Sequence, residues 1–219
     1  QVERCLKAAI TQDYPDFRVM WFDDASDFSA GRQVANELQT EHPKRLIVGV
    51  SDTGREYAMP RLWLMAHEAE RINPGTVIVQ VGGDDCLAGP HALARIAREY
   101  ELGAWFTYGQ YKQLPSNGMG RCVPFEPGVL EERMVRSKPF ISMHPTTFYA
   151  KLFLKIREAD LKINGRWVDT AADAYFHFPM LEMCASPERV HFIPDVLYYY
   201  QEQDPKRFIS EEYALQVFM

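Results

Sequence analysis

Short apolar runs, each closed by turn or acidic residues and separated by helical stretches, constrain this chain more than any other feature. Residues 17–22, 46–50, 76–81 and 104–108 are too short for helices and rich in β-branched and aromatic side chains. Between them, residues 2–10, 29–41, 57–71 and 90–100 place apolar side chains at helical spacing, with Pro90 in the first turn of the last. Strand and helix alternate to about residue 108, which predicts an α/β fold with a mostly parallel sheet flanked by helices. Pro, Gly and Ser punctuate residues 109–145, where loops and short elements are expected. Helices are predicted over 147–157 and 170–184, a strand over 190–193, and a last helix from Ser210. Pro179 is expected to end or kink the helix that contains it near residues 175–178.

The chain has 219 residues, 47% of them hydrophobic and 25% charged, which fits one globular domain and excludes a disordered chain. A net charge of -6 argues against a general nucleic-acid binder. Four cysteines with no C-x-x-C pair argue against a zinc ribbon or a disulfide scaffold. They point to reduced thiols and a cytoplasmic setting, with a peripheral place at a membrane left open. No apolar run approaches the ~20 residues that span a bilayer, and no signal peptide is visible. The chain opens inside a predicted helix with no Met before Gln1, so further residues are expected upstream.

In open α/β sheets, ligands bind beyond the carboxyl ends of the strands. Two predicted strands end in paired acids, Asp23-Asp24 and Asp84-Asp85. Four carboxylates around one crevice repel each other, and a divalent cation resolves the repulsion. Hard oxygen ligands suit Mg²⁺ or Mn²⁺, which commonly clamp a diphosphate. Asp is also a turn and helix-capping residue, so Asp23-Asp24 reads as loop chemistry too. Gly82-Gly83 ahead of the second pair let a ligand approach the backbone. Dinucleotide, P-loop, serine-nucleophile and H-E-x-x-H signatures are all absent. A nucleotidyltransferase also uses paired acids with Mg²⁺, but it wants a basic glycine-rich loop that the sequence lacks. Asp169, Asp173 and His177 share a helical face at i, i+4 spacing.

Four motifs in order then carry a resemblance. They are residues 3–15 (E-R-C-L-K-A-A-I-T-Q-D-Y-P), residues 17–27 ending in D-D-A-S-D, Gly82-Gly83-Asp84-Asp85, and residues 192–200 (F-I-P-D-V-L-Y-Y-Y). Together they resemble a family 2 glycosyltransferase of the GT-A fold. The resemblance implies residues 1–108 as the nucleotide-sugar half and 109–219 as the acceptor half of one domain. It implies that Asp23, Asp24, Arg61 (or Arg55), Gly83 and Asp84 bind a nucleotide-sugar. UDP-sugars are the commonest donors. Asp84 and Asp85 would hold Mn²⁺ or Mg²⁺, and Asp173 would be the catalytic base. It further implies inverting, hexosyltransferase-type transfer to a glycan, lipid-linked or protein acceptor. The missing Q-x-x-R-W motif implies one sugar at a time. Trp167 and His144 are secondary candidates for acceptor contact. Gly82, Ala172 and Ala25 depart from the family pattern, which keeps a non-catalytic nucleotide-sugar-binding module as the alternative. The family's opening strand is expected upstream of Gln1.

Overall fold

The computed structural model describes residues 1–25, 29–51, 58–202 and 213–218. The first half alternates as expected: α1 (Val2–Ile10), β1 (Arg18–Asp23), α2 (Ser29–Glu41), β2 (Leu46–Val50), α3 (Ala58–Ile72), β3 (Val77–Gly82), β4 (Cys86–Leu87), α4 (Ala92–Glu101) and β5 (Phe106–Leu114). The second half adds β6 (Thr146–Tyr149), α5 (Ala150–Phe153), β7 (Lys162–Ile163), β8 (Arg166–Trp167), α6 (Ala172–Cys184), β9 (Val190–Gln201) and β10 (Tyr213–Phe218). Among the described residues, eight strands form one sheet in the order β2-β1-β10-β3-β6-β5-β9-β4, and β7 pairs with β8 apart from it.

The sheet is mixed. β1 and β2 pair parallel, as do β5 and β9. β10 lies antiparallel between β1 and β3, and β6 antiparallel between β3 and β5. The strands β2, β1, β3, β5 and β9 therefore run one way, and their carboxyl ends share an edge. That edge carries both acidic pairs and the Tyr198–Tyr200 run.

The helices cover this frame by simple patterning. α1 buries Cys5, Leu6, Ala9 and Ile10, one stripe of an otherwise polar helix. Burying side chains such as Leu6, Phe106 or Phe148 contributes about 1.5–3 kcal/mol each. Gln12, just past α1, donates to the carbonyls of Ala8 at 2.9 Å and Gly89 at 2.7 Å, and accepts from the Leu93 amide at 3.1 Å. This buried amide ties α1 to the start of α4.

Four expectations are corrected. Residues 213–218 form a strand, not a helix. Tyr, Val and Phe favour strands, and the segment gains a ladder on both sides. The helix expected over 147–157 is largely replaced by β6 and the four-residue α5, because Thr146–Tyr149 pairs with β3 and β5. β9 runs past residue 193 to Gln201, following β5 through a register shift near Gln110. α6 continues through Pro179 to Cys184. Proline removes one intrahelical bond there, but Phe176, Met180 and Leu181 stay buried in the core across it. Among the described residues, no helix is long and apolar enough to cross a membrane.

Candidate active site

The end of β1 buries two carboxylates. Asp23 accepts from Arg32 Nε at 2.8 Å and pairs with Arg32 Nη2 at 2.6 Å. Asp24 pairs with Arg61 Nη2 at 3.5 Å. The same nitrogen donates to Ser51 Oγ at 2.6 Å, and the guanidinium lies 4.4 Å above the Phe22 ring. Arg61 reaches this cluster from the first turns of α3 and is itself buried. A buried carboxylate needs such a partner, since an isolated one costs several kcal/mol. Arg55, the alternative to Arg61, lies outside the described residues.

The end of β3 is a tight turn in which the Asp85 amide donates to the Gly82 carbonyl at 3.1 Å. The two acids of this turn separate. Asp84 is partly exposed. Asp85 is buried: it accepts from Tyr198 Oη at 2.6 Å and from the Gln201 amide at 2.7 Å. Burial, then the charge of Asp84, pushes the Asp85 carboxyl up to about 7 against the pull of those two donors. Asp85 therefore turns into the protein, with both of its oxygens engaged from β9, while Asp84 is partly exposed. Gly83 lies buried in the same turn.

Across the edge, Asp173 sits in the first turn of α6 and accepts from Gln80 Nε2 at 3.4 Å. His144 precedes β6, with its ring parallel to Tyr198 at 4.7 Å and to Tyr200 at 5.7 Å. Burial lowers the His144 pKa, while the charges of Asp173 and Asp84 act to raise it. Tyr200 feels Asp85, Asp84 and Asp173 together. Asp84, Gln80, His144, Asp173 and Tyr200, each partly exposed, thus lie within reach of one another's charge or hydrogen bonds at the strand edge.

The expected polar face of α6 is not present as such. The helix begins at Ala172, so Asp169 lies before it, with its carboxylate on the Thr170 hydroxyl. His177 is enclosed by Phe140, Phe106 and Phe176. Neither ring nitrogen makes a full hydrogen bond, although the Ser142 backbone acts on the ring, and the buried Ser142 Oγ has no partner either. Burial holds the His177 imidazole down at about 4. Trp167 sits 6.1 Å from Trp63 and beneath Lys162, in an aromatic group built on α3.

Sequence reading missed Gln80 and Arg32, and it took Tyr198 only as one of the aromatic run Tyr198–Tyr200, not as the partner of Asp85. A polar side chain inside Val-Ile-Val-Gln-Val, two residues before Gly82, is the signal for Gln80. Among the described residues, no three His, Cys, Asp or Glu side chains are grouped to hold a metal ion.

No protein-family model matches the sequence, and no curated protein matches it either. Solved structures do. S. aureus TarS 1-349 in complex with UDP-GlcNAc superposes with a TM-score of 0.61 at 16% identity, over 93% of this chain and 55% of that one. The complex of TarS 1-349 with UDP gives 0.58 at 16% identity, over 92% and 56%. TarS is a GT-A family 2 glycosyltransferase. The chain shares its fold. It spans 34% of the longer TarS chain and about half of TarS 1-349.

Proposed function

We propose that this chain is a glycosyltransferase domain that moves one sugar at a time from a nucleotide-diphosphate sugar, a UDP-sugar first, to an acceptor hydroxyl with inversion. The observation that carries the reading is the convergence of Asp84, His144 and Asp173 at the strand edge, beside the buried Asp23–Arg32 and Asp24–Arg61 pairs. The fold shared with a UDP-GlcNAc-bound glycosyltransferase supports it.

In this reading, Asp23, Asp24, Arg32 and Arg61 form a prebuilt floor for the nucleoside, with charges already compensated. Asp84 stands at the diphosphate. Divalent ions of the Mg²⁺ type are commonly bound by one or two carboxylates plus substrate phosphates, so Asp84 fits as the protein ligand while Asp85 does not. When bound, Mn²⁺ or Mg²⁺ supplies charge neutralisation on the leaving diphosphate. Asp173, oriented by Gln80, takes the proton of the acceptor hydroxyl. The acceptor oxygen bonds to the anomeric carbon as the bond from that carbon to the diphosphate oxygen breaks, which inverts the centre. His144 stands between the donor and acceptor sides, where its ring edge can orient the acceptor.

Calorimetric titration of UDP with Mn²⁺ and then with EDTA tests the donor site, and product analysis with UDP-sugars tests transfer. Metal-linked UDP binding with product is the expected result. No binding of UDP or of other nucleotide-sugars removes the reading. The second reading, a binding module without catalysis, is favoured by Ala172 next to Asp173. It predicts UDP-sugar binding with no product and no effect of Asp173→Asn.

A further inference from the structure

The turn that carries Asp84 is fastened to β9 by its other acid. Asp85 Oδ2 accepts from Tyr198 Oη at 2.6 Å and Oδ1 accepts from the Gln201 amide at 2.7 Å. The same phenol oxygen accepts from the Gly82 amide at 2.9 Å. One hydroxyl thus bridges both ends of the turn. The carboxylate lies so close under Gly82 that a Cβ there would stand 2.5 Å from Asp85 Oδ2 and 3.4 Å from Tyr198 Oη. Gly82 is not among the residues with positive φ, so the glycine is required by this close approach and not by its backbone conformation. Arg4 closes the outer side, with Nε on Cys86 Sγ at 3.1 Å and Nη2 on Gln201 Oε1 at 3.2 Å. Tyr198 also stacks on His144, their planes 8° apart. A continuous path of contacts therefore runs from the Asp84 turn through Asp85 and Tyr198 to His144.

We propose that Asp85 is a positioning residue and not an ion ligand: it latches the Gly82–Asp85 turn to Tyr198–Gln201, and so sets where Asp84 and His144 stand relative to each other. For Asp85 to turn toward a cation, it would give up two hydrogen bonds and leave the buried Tyr198 O–H without its acceptor, although the phenol oxygen would still accept from the Gly82 amide. A carboxylate pair at a strand end is thereby divided between two tasks, one facing the ligand and one facing the protein. The consequence for the donor site rests on the transferase reading above. The latch itself does not.

Two measurements test it. The first is a stability cycle of Gly82→Ala, Asp85→Ala and the double variant by urea unfolding. Gly82→Ala is expected to lower the midpoint in the parent, where the new methyl meets the carboxylate. It should cost little in the Asp85→Ala background, where that space is vacated. Equal penalties in both backgrounds overturn the latch. The second measurement is Mn²⁺ binding by electron paramagnetic resonance together with UDP titration. Asp85→Asn keeps a partner for Gln201 and is expected to hold Mn²⁺ with UDP affinity weakened by about tenfold or less. Tyr198→Phe should raise KM for donor and acceptor together. Asp84→Asn should lose the ion. An Asp85→Asn variant that stays folded and loses Mn²⁺ as completely as Asp84→Asn makes Asp85 a ligand and overturns the proposal. If Asp84→Asn leaves Mn²⁺ binding intact, the donor-site reading fails, and the stability cycle still decides the latch.

Discussion

The ends of β1 and β3 carry the same dipeptide, Asp-Asp, and solve its burial in different ways. At β1, Asp23 faces Arg32 and Asp24 faces Arg61, so each buried charge has an opposite charge beside it. At β3, the buried Asp85 has a hydroxyl and an amide as partners, and its carboxyl rises to about 7. Asp84 stays partly exposed. An acidic pair at a strand end is therefore not one functional unit. The strands and helices opposite decide which acid is compensated, which is absorbed and which stays partly exposed.

The sharpest way to break this comparison is at the proposed catalytic base. Asp173→Asn is expected to lower kcat by about 10²–10⁴-fold with UDP affinity unchanged, read by steady-state kinetics and calorimetry. Unchanged turnover would take the base away from α6. Asp84→Asn should abolish the metal-linked part of UDP binding and cut transfer by about 10²-fold or more. A variant that titrates like the parent with and without EDTA would end the division of labour between Asp84 and Asp85.

Stability separates the two strand ends next. Arg61→Met leaves Asp24 buried without its guanidinium and should cost about 3–5 kcal/mol in urea unfolding. A loss under about 1 kcal/mol would mean that the β1 acids need no compensation. His177 supplies a pH signature of the α6 region. Its pKa falls from 6.5 to about 4 on folding, so the unfolded chain binds the extra proton between those values. Stability is then full above pH 6.5 and declines as pH falls toward 4, by about 3 kcal/mol at most. His177→Phe should flatten that slope, and a parental slope in the variant would assign the acid sensitivity elsewhere. The smallest effect is expected from Arg32→Met. Arg32 is 39% exposed, so water partly replaces it at Asp23 and the cost should be about 1–2 kcal/mol. A cost as large as that of Arg61→Met would erase the difference between the two pairs.

Much of the frame was legible because period and punctuation are local. The runs that became β1, β2 and β3, and the stripes that became α1, α2 and α4, read correctly from side-chain spacing. Residues 213–218 and 146–149 did not, because their state depends on strands far away in sequence. In the site, Asp23, Asp24, Arg61 and Asp84 were visible as charged residues at strand ends or on a helix. Tyr198 was visible only as part of an aromatic run, and nothing in that run says that its hydroxyl meets Asp85. Gln80 likewise gains meaning only from its hydrogen bond to Asp173, and His144 was visible only as a secondary candidate for acceptor contact.

By itself, the sequence determined the alternation of strand and helix, the placing of acids at strand ends and the apolar faces that cover the sheet. Those follow from interactions within a few residues, where period and turn chemistry decide. The tertiary structure decided which acids pair with arginine, that Asp85 turns inward under Gly82, that His177 is walled in by phenylalanines, and that β10 fills the sheet between β1 and β3. Those outcomes depend on desolvation and on contacts between residues up to about two hundred positions apart, which no local pattern encodes.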